Sequence, residues 1–153
     1  MITRKSPQEI ERMRESCLIV SEVHRLLAPH CRPGIALSEL DRMAEEYIRS
    51  RGGIPAFKGY PAHDRSVPPF PSTLCVSIDD EVVHGIPDGR VIREGEIISI
   101  DVGVEKNGYY GDGAMTIMVG EVDAVKRRLV EVTREALYRG LEAAGPGNHL
   151  GDL

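Results

Sequence analysis

Cysteine is scarce in this chain and carries no pattern. Cys17, Cys31 and Cys75 are the only three, with no Cys-x-x-Cys spacing. That argues against a disulfide framework or a structural zinc site and fits a chain kept reduced in the cytoplasm. Long apolar runs are also missing. None approaches the roughly 18 residues that cross a bilayer, so no membrane segment is expected. No apolar core follows the opening Met-Ile-Thr-Arg-Lys-Ser-Pro, so no secretory signal is expected. There is no basic excess: 19 Lys and Arg stand against 24 Asp and Glu, a net charge of −5. That balance leaves no electrostatic footprint for nucleic acid. Internal repeats and low-complexity segments are absent.

What is present suits a single domain with a real core: 153 residues, 41% hydrophobic and 28% charged. Ser6-Pro7-Gln8-Glu9 reads as a helix start, with a serine cap, proline at the first position and glutamate at the third. Ile10, Met13, Cys17, Val20, Val23 and Leu27 continue as one helical stripe, ended by Arg32-Pro33-Gly34. A second helix is expected from a Ser38 cap, with Asp41 in its first turn. Leu40, Met43, Ala44, Tyr47 and Ile48 form its buried stripe, and Gly52-Gly53 stops it. Residues 54–72 read as irregular, with four prolines between Gly59 and Pro71. Leu74 to Ile78 reads as a short strand, Glu81 to Pro87 as an approach to a turn, and Arg93-Glu94-Gly95 as a turn. Asp123 should cap a third helix running to Ala144, with Val125, Leu129, Val132, Ala136, Leu137 and Leu141 on its apolar side. Gly145-Pro-Gly147 closes that helix.

The densest chemistry lies in a hairpin through Val119. Lys106-Asn107-Gly108 separates two strand-like runs, and Asn-Gly is the strongest short signal for a two-residue turn. With Asn107-Gly108 as the turn, Lys106 pairs with Tyr109 and Asp112 lies opposite Gly103. Gly103 shares a face with Asp101, two residues away, so the two aspartates become diagonal neighbours at roughly 7–8 Å. Two bare carboxylates drawn together to about 4 Å repel by roughly 4 kcal/mol at an effective dielectric of 20, and a shared cation reverses that sign. Two readings stand at this point. Acidic residues near a tight turn are usually solvated surface, and a one-residue bulge would turn one of them away. Against that, Asp101 sits in Ile-Ile-Ser-Ile-Asp-Val-Gly-Val, a run that looks buried on both faces, where an unpaired charge is costly.

Val82-Val83-His84-Gly85-Ile86-Pro87, followed by Ile100-Asp101-Val102-Gly103 and Tyr110-Gly111-Asp112, closely resembles the type 1 methionine aminopeptidases of the pita-bread metallopeptidase family. Ser-Pro-Gln-Glu-Ile-Glu-Arg-Met-Arg, Arg32-Pro-Gly-Ile and Pro55-Ala-Phe-Lys-Gly-Tyr60 are similar to that family too, so the likeness runs through the whole chain in order. It implies an α+β fold: an antiparallel sheet with helices on one face, the first half of a pseudo-symmetric pair. It implies removal of the initiator methionine from nascent proteins by water activated at a dinuclear metal centre (cobalt, manganese, iron or zinc).

In the resemblance Asp101 chelates one metal and Asp112 bridges both. His84 is catalytic and touches the substrate near the scissile bond. Tyr60, Phe70 and Cys75 line the methionine pocket, where a soft thiol and aromatic rings suit a thioether. The segment Pro61 to Pro69 is longer than the family pattern, and Gly113-Ala114-Met115 departs from it after Asp112. The remaining ligands of the family, one histidine and two glutamates, have no counterpart here; His149 lies in a stretch like the start of the crossover helix. Residues 1–153 are therefore expected to be the amino-terminal portion of one catalytic domain, truncated of its carboxy-terminal half and nearly inactive alone. The implied partners are nascent polypeptides, met at the ribosome, for a cytoplasmic enzyme that is a monomer when complete, with no nucleic acid and no membrane. Two alternatives are a non-catalytic interaction protein on the same fold and an Xaa-Pro-cleaving relative.

Overall fold

The computed structural model describes residues 3–64 and 66–153. Three α-helices, α1 (Pro7–Leu27), α2 (Leu37–Ser50) and α3 (Ala124–Ala143), accompany four strands, β1 (Ile54–Pro55), β2 (Leu74–Ile78), β3 (Ile97–Lys106) and β4 (Tyr109–Met118). Every strand pair is antiparallel, and β3 is central: β4 runs along one edge, and β1 and β2 share the other end to end. Helices α1 and α2 cover one face. The fold is α+β, an antiparallel sheet with helices on one face, as the resemblance implied.

The hairpin follows its turn. Asn107 and Gly108 both have positive φ, 55° and 79°, the signature of a type I′ turn. Lys106 pairs with Tyr109 and Gly103 with Asp112, and the ladder continues unbroken to Ile97 and Met118. One expectation about this hairpin holds only in part. Ile98, Ile100, Val102 and Val104 point into the core; on the other face Ile97 and Gly103 are buried, while Ser99 and Asp101 lie half-buried.

Helix α1 begins with the capping box read from sequence: Ser6 N donates to Glu9 Oε2 at 2.7 Å and Glu9 N to Ser6 Oγ at 3.3 Å. Its inward stripe is rotated from the expected one. Ser16, Ile19, Val20, Val23 and Leu27 are buried, whereas Ile10 and Cys17 are exposed. Close contact with β4 sets the rotation. A Cβ at Gly111 would stand 2.5 Å from the Cys17 amide nitrogen, so small Ser16 takes the contact, its Oγ donating to the Tyr109 carbonyl at 2.8 Å.

Helix α2 departs from expectation at its start. Ala36, not Ser38, is the N-cap, and it offers no side-chain acceptor. The first-turn amides are met from afar: Leu37 N donates to the Arg90 carbonyl at 2.9 Å and Ser38 N to that of Asp88 at 2.8 Å. Asp41 turns inward, and its Oδ1 accepts from Leu74 N at 2.8 Å at the start of β2. Leu37, Leu40, Ala44 and Ile48 are fully buried, with Met43 and Tyr47 packed against them. The segment 54–72 is irregular except at Ile54–Pro55, which pairs with β3; proline at a sheet edge forfeits no ladder bond.

Helix α3 starts where expected, with Asp123 Oδ1 accepting from the amides of Val125 and Lys126, both at 2.9 Å. Lys126 Nζ ties this end to the sheet, 2.8 Å from Asp79 Oδ1 and donating to the Gly95 carbonyl at 2.8 Å. Its apolar stripe is another matter. No described residue of α3 is buried, and Val125, Leu129, Val132, Leu137 and Leu141 are each at least 50% exposed. Among the described residues, no helix is long and apolar enough to cross a membrane.

Candidate metal-binding and substrate site

The open face of the sheet carries the site. Alternation puts Cys75 and Ser77 of β2, Ser99, Asp101 and Gly103 of β3, and Asp112 and Thr116 of β4 on that side. Ser99 Oγ and Thr116 Oγ1 lie 2.9 Å apart across the hairpin. Two strands thus bring Asp101 and Asp112 together with no bulge between them.

Asp101 is half-buried and Asp112 exposed. Burial pushes the Asp101 carboxyl above the ordinary aspartate range. The negative charge of Asp112 and a hydrogen bond with it push further, against the pull of His84 and the Val102 amide. Cys75, the cross-strand partner of Asp101, has its thiol pushed up to about 11 by burial first and then by the charges of Asp101, Asp112 and Asp41. The charged forms of Asp101 and Cys75 are therefore disfavoured here, a penalty that a nearby cation would relieve.

Both aspartates border a pocket of about 380 Å³. The three residues placed in the methionine pocket by resemblance, Tyr60, Phe70 and Cys75, all line it, and so does His84. Tyr60 and Phe70 are held opposite each other by two backbone bonds, Gly59 N to the Phe70 carbonyl at 2.8 Å and Phe70 N to the Tyr60 carbonyl at 2.9 Å. Those bonds close the long Pro61–Pro69 segment at its base. Sequence reasoning missed a seventh lining residue, Phe57. Its ring lies on Gly103, where an added Cβ would fall 2.5 Å from Cε1. The space left by that glycine is filled by an aromatic ring. The signal lay in Ala-Phe-Lys-Gly-Tyr, but only the tertiary fold pairs it with Gly103.

His84 is exposed, with φ at +60°, a left-handed conformation that costs a non-glycine residue roughly 1–3 kcal/mol. A second cavity, about 340 Å³ between α1 and β4, is lined by Cys17, His24 and Met115 among others and holds no carboxylate. Burial lowers the pKa of His24 against the pull of the Ile100 backbone, and Ser21 and Arg25 also line that cavity.

Among the described residues, no group of three or more histidines, cysteines, aspartates or glutamates is arranged to hold a metal ion. The pair Asp101 and Asp112 supplies hard oxygen donors of the kind divalent cations take, and its mutual repulsion fits a bound cation. Two carboxylates are fewer donors than a tightly held divalent ion takes.

Residues 11–153 match metallopeptidase family M24. The chain belongs to this family. Methionine aminopeptidase 1 of Bacillus subtilis is 46% identical over 153 residues, covering 100% of this chain and 59% of that protein. The crystal structure of methionine aminopeptidase from Thermotoga maritima superposes with a TM-score of 0.88 at 37% identity, covering 96% of this chain and 57% of that one. Prolidase from Pyrococcus furiosus shares the fold, with a TM-score of 0.78 at 23% identity over 94% of this chain and 39% of its own. The M24 chain therefore matches the type 1 methionine aminopeptidases of the pita-bread fold, as its motifs implied, and spans about three fifths of the relatives' length.

Proposed function

We propose that this chain supplies the substrate pocket and two metal ligands of a methionyl aminopeptidase that removes the initiator methionine from nascent polypeptides. One observation carries the reading: two carboxylates from adjacent strands converge on a pocket walled by three aromatic rings and a thiol, with an imidazole at its margin. A thioether fits that wall, since sulfur contacts with ring edges are favourable. A free amino terminus is drawn to the negative floor.

In this reading Asp101 and Asp112 hold the cations, of cobalt, manganese, iron or zinc. When bound, the cations supply Lewis-acid activation of water and of the scissile carbonyl. Phe57, Tyr60, Phe70 and Cys75 hold the methionine side chain and keep water from it. His84 donates a hydrogen bond to the substrate near the scissile bond. The complete centre needs further ligands beyond these two aspartates, so these 153 residues, an amino-terminal portion of the catalytic domain, have little activity alone. The complete enzyme acts as a monomer in the cytoplasm, on chains emerging from the ribosome.

The test is methionine release from Met-Ala at saturating divalent metal, alongside Ala-Pro. Release from Met-Ala alone, slow in this chain, supports the reading; preferred cleavage of Ala-Pro replaces it with an Xaa-Pro enzyme. Turnover matching a full-length aminopeptidase overturns the claim of an incomplete site. Failure of the chain to bind any divalent ion favours a non-catalytic protein on the same fold.

A further inference from the structure

The left-handed backbone of His84 is held by a clamp on β2. Val76 N donates to the Gly85 carbonyl at 2.8 Å, and Gly85 N donates to Ser77 Oγ at 3.2 Å. Glycine is required at 85 for space: a Cβ there would stand 2.2 Å from the Val76 carbonyl oxygen. Pro87, two residues on, is buried. An unfavourable φ persists only where the surroundings over-determine it, and such residues concentrate at working sites.

Ser77 is the polar member of this clamp that sequence reasoning left unassigned. It is 4% exposed on the open face, pairs with Ser99, and lies two residues beyond the pocket-lining Cys75 on the same strand face. A buried hydroxyl is retained where it has a partner to satisfy, and its partner here is the amide next to His84. We propose that Ser77 is a positioning residue: through Gly85 it holds His84 in its strained conformation and so fixes the imidazole relative to Asp101 and Asp112. This deepens the proposed function and rests on it for the imidazole's role. The clamp itself rests on geometry alone.

The experiment compares the 153-residue chain with Ser77→Ala and Ser77→Thr by NMR, reading amide exchange and the broadening caused by Mn²⁺. In Ser77→Ala the Gly85 amide exchanges about tenfold faster, while the Ile98 and Ile100 amides keep their protection. Ser77→Thr keeps the hydroxyl and restores slow exchange. With Mn²⁺ present, the Gly103 amide beside the aspartates broadens equally in all three proteins. The His84 ring signal broadens in the parent and in Ser77→Thr, and by less than half as much in Ser77→Ala. Unchanged Gly85 exchange in Ser77→Ala overturns the clamp whatever the metal does. Faster exchange with unchanged His84 broadening overturns the positioning role. Absence of Gly103 broadening in the parent overturns the metal reading, and with it the positioning role, while Gly85 exchange still decides the clamp.

Discussion

Phe57 and Gly103 are fitted to each other: the ring occupies the place where any side chain at 103 would begin, with Cε1 2.5 Å from a built Cβ. Gly111, eight residues on in the same hairpin, is crowded for a different reason. There the obstruction is the backbone of α1, with Cys17 N at 2.5 Å and the Ser16 carbonyl carbon at 2.6 Å. A ring can swing; a helix backbone cannot. Gly103→Ala is expected to cost about 1 kcal/mol, and Gly111→Ala about 3 kcal/mol, the upper part of the overpacking range. Urea unfolding checks both. Adding Phe57→Ala should recover stability for Gly103→Ala and leave Gly111→Ala unimproved; equal costs for the two glycines would falsify this account.

Asp41 can be separated into its charge and its oxygen. Its Oδ1 accepts from the part-buried Leu74 amide, and burial raises its pKa against the pull of the Leu74 and Thr73 amides. Asp41→Ala leaves that amide without a partner and is expected to cost roughly 1–3 kcal/mol. Asp41→Asn retains an acceptor oxygen and should cost about 1 kcal/mol or less. Chemical denaturation of the two variants at neutral pH decides it. If both lose the same stability, the carboxylate charge rather than the hydrogen bond holds the start of β2.

Asp101 gives a pH dependence of known sign. Its folded pKa lies above the ordinary aspartate value, first through burial and then through Asp112. The folded state therefore binds this proton more tightly than the unfolded state, and the associated stability is present at low pH and lost as pH rises through the raised value. Other carboxyls, Glu9 and Glu81 among them, are shifted down and act in the opposite direction. The difference between parent and Asp101→Asn isolates the one group. With chelator present, the parent should gain on Asp101→Asn as pH falls from neutral toward the ordinary aspartate range. Asp112→Asn in the parent should reduce that gain without abolishing it, since it removes the neighbouring charge and leaves the burial. A difference that moves the other way contradicts the raised pKa. Divalent cation should also flatten it, by taking the place of the proton.

The hairpin was legible in the sequence because its information is local. Asn107-Gly108 fixes a two-residue turn, and strict alternation then sets Asp112 opposite Gly103 without reference to the rest of the chain. The Ser6–Glu9 box and the Asp123 cap were legible for the same reason. The misread features depend on partners remote in sequence. Ser38 has the composition of a cap, but carbonyls of Asp88 and Arg90 meet the first turn of α2, so the helix starts at Leu37 after Ala36. The α1 stripe turned toward Ser16 because β4 brings Gly111 against it. Phe57 reaches the pocket only because the segment after α2 folds back over β3. The placement of Asp101, Asp112, His84, Tyr60, Phe70 and Cys75 around one pocket was anticipated mainly through motif order, since spacing alone left solvated carboxylates as an equal reading.

The exposed stripe of α3 predicts behaviour in solution. Val125, Leu129, Val132 and Leu141 present large apolar groups to solvent, and β4 pairs with β3 alone, so its outer edge is free of any described strand. Surface of this kind associates, through apolar contact on the helix and strand pairing on the edge. Light scattering across a dilution series should show the 153-residue chain self-associating at high concentration. Leu129→Glu with Leu141→Glu removes apolar area at residues 57% and 58% exposed, where nothing in the core is disturbed. Those changes should shift the association to higher protein concentration and leave the unfolding midpoint nearly unchanged. Edge pairing makes a different forecast: Thr116→Pro on β4 would suppress association while the helix changes do nothing. A chain that stays monodisperse at every concentration shows that neither surface is adhesive, and the apolar stripe would then need another explanation.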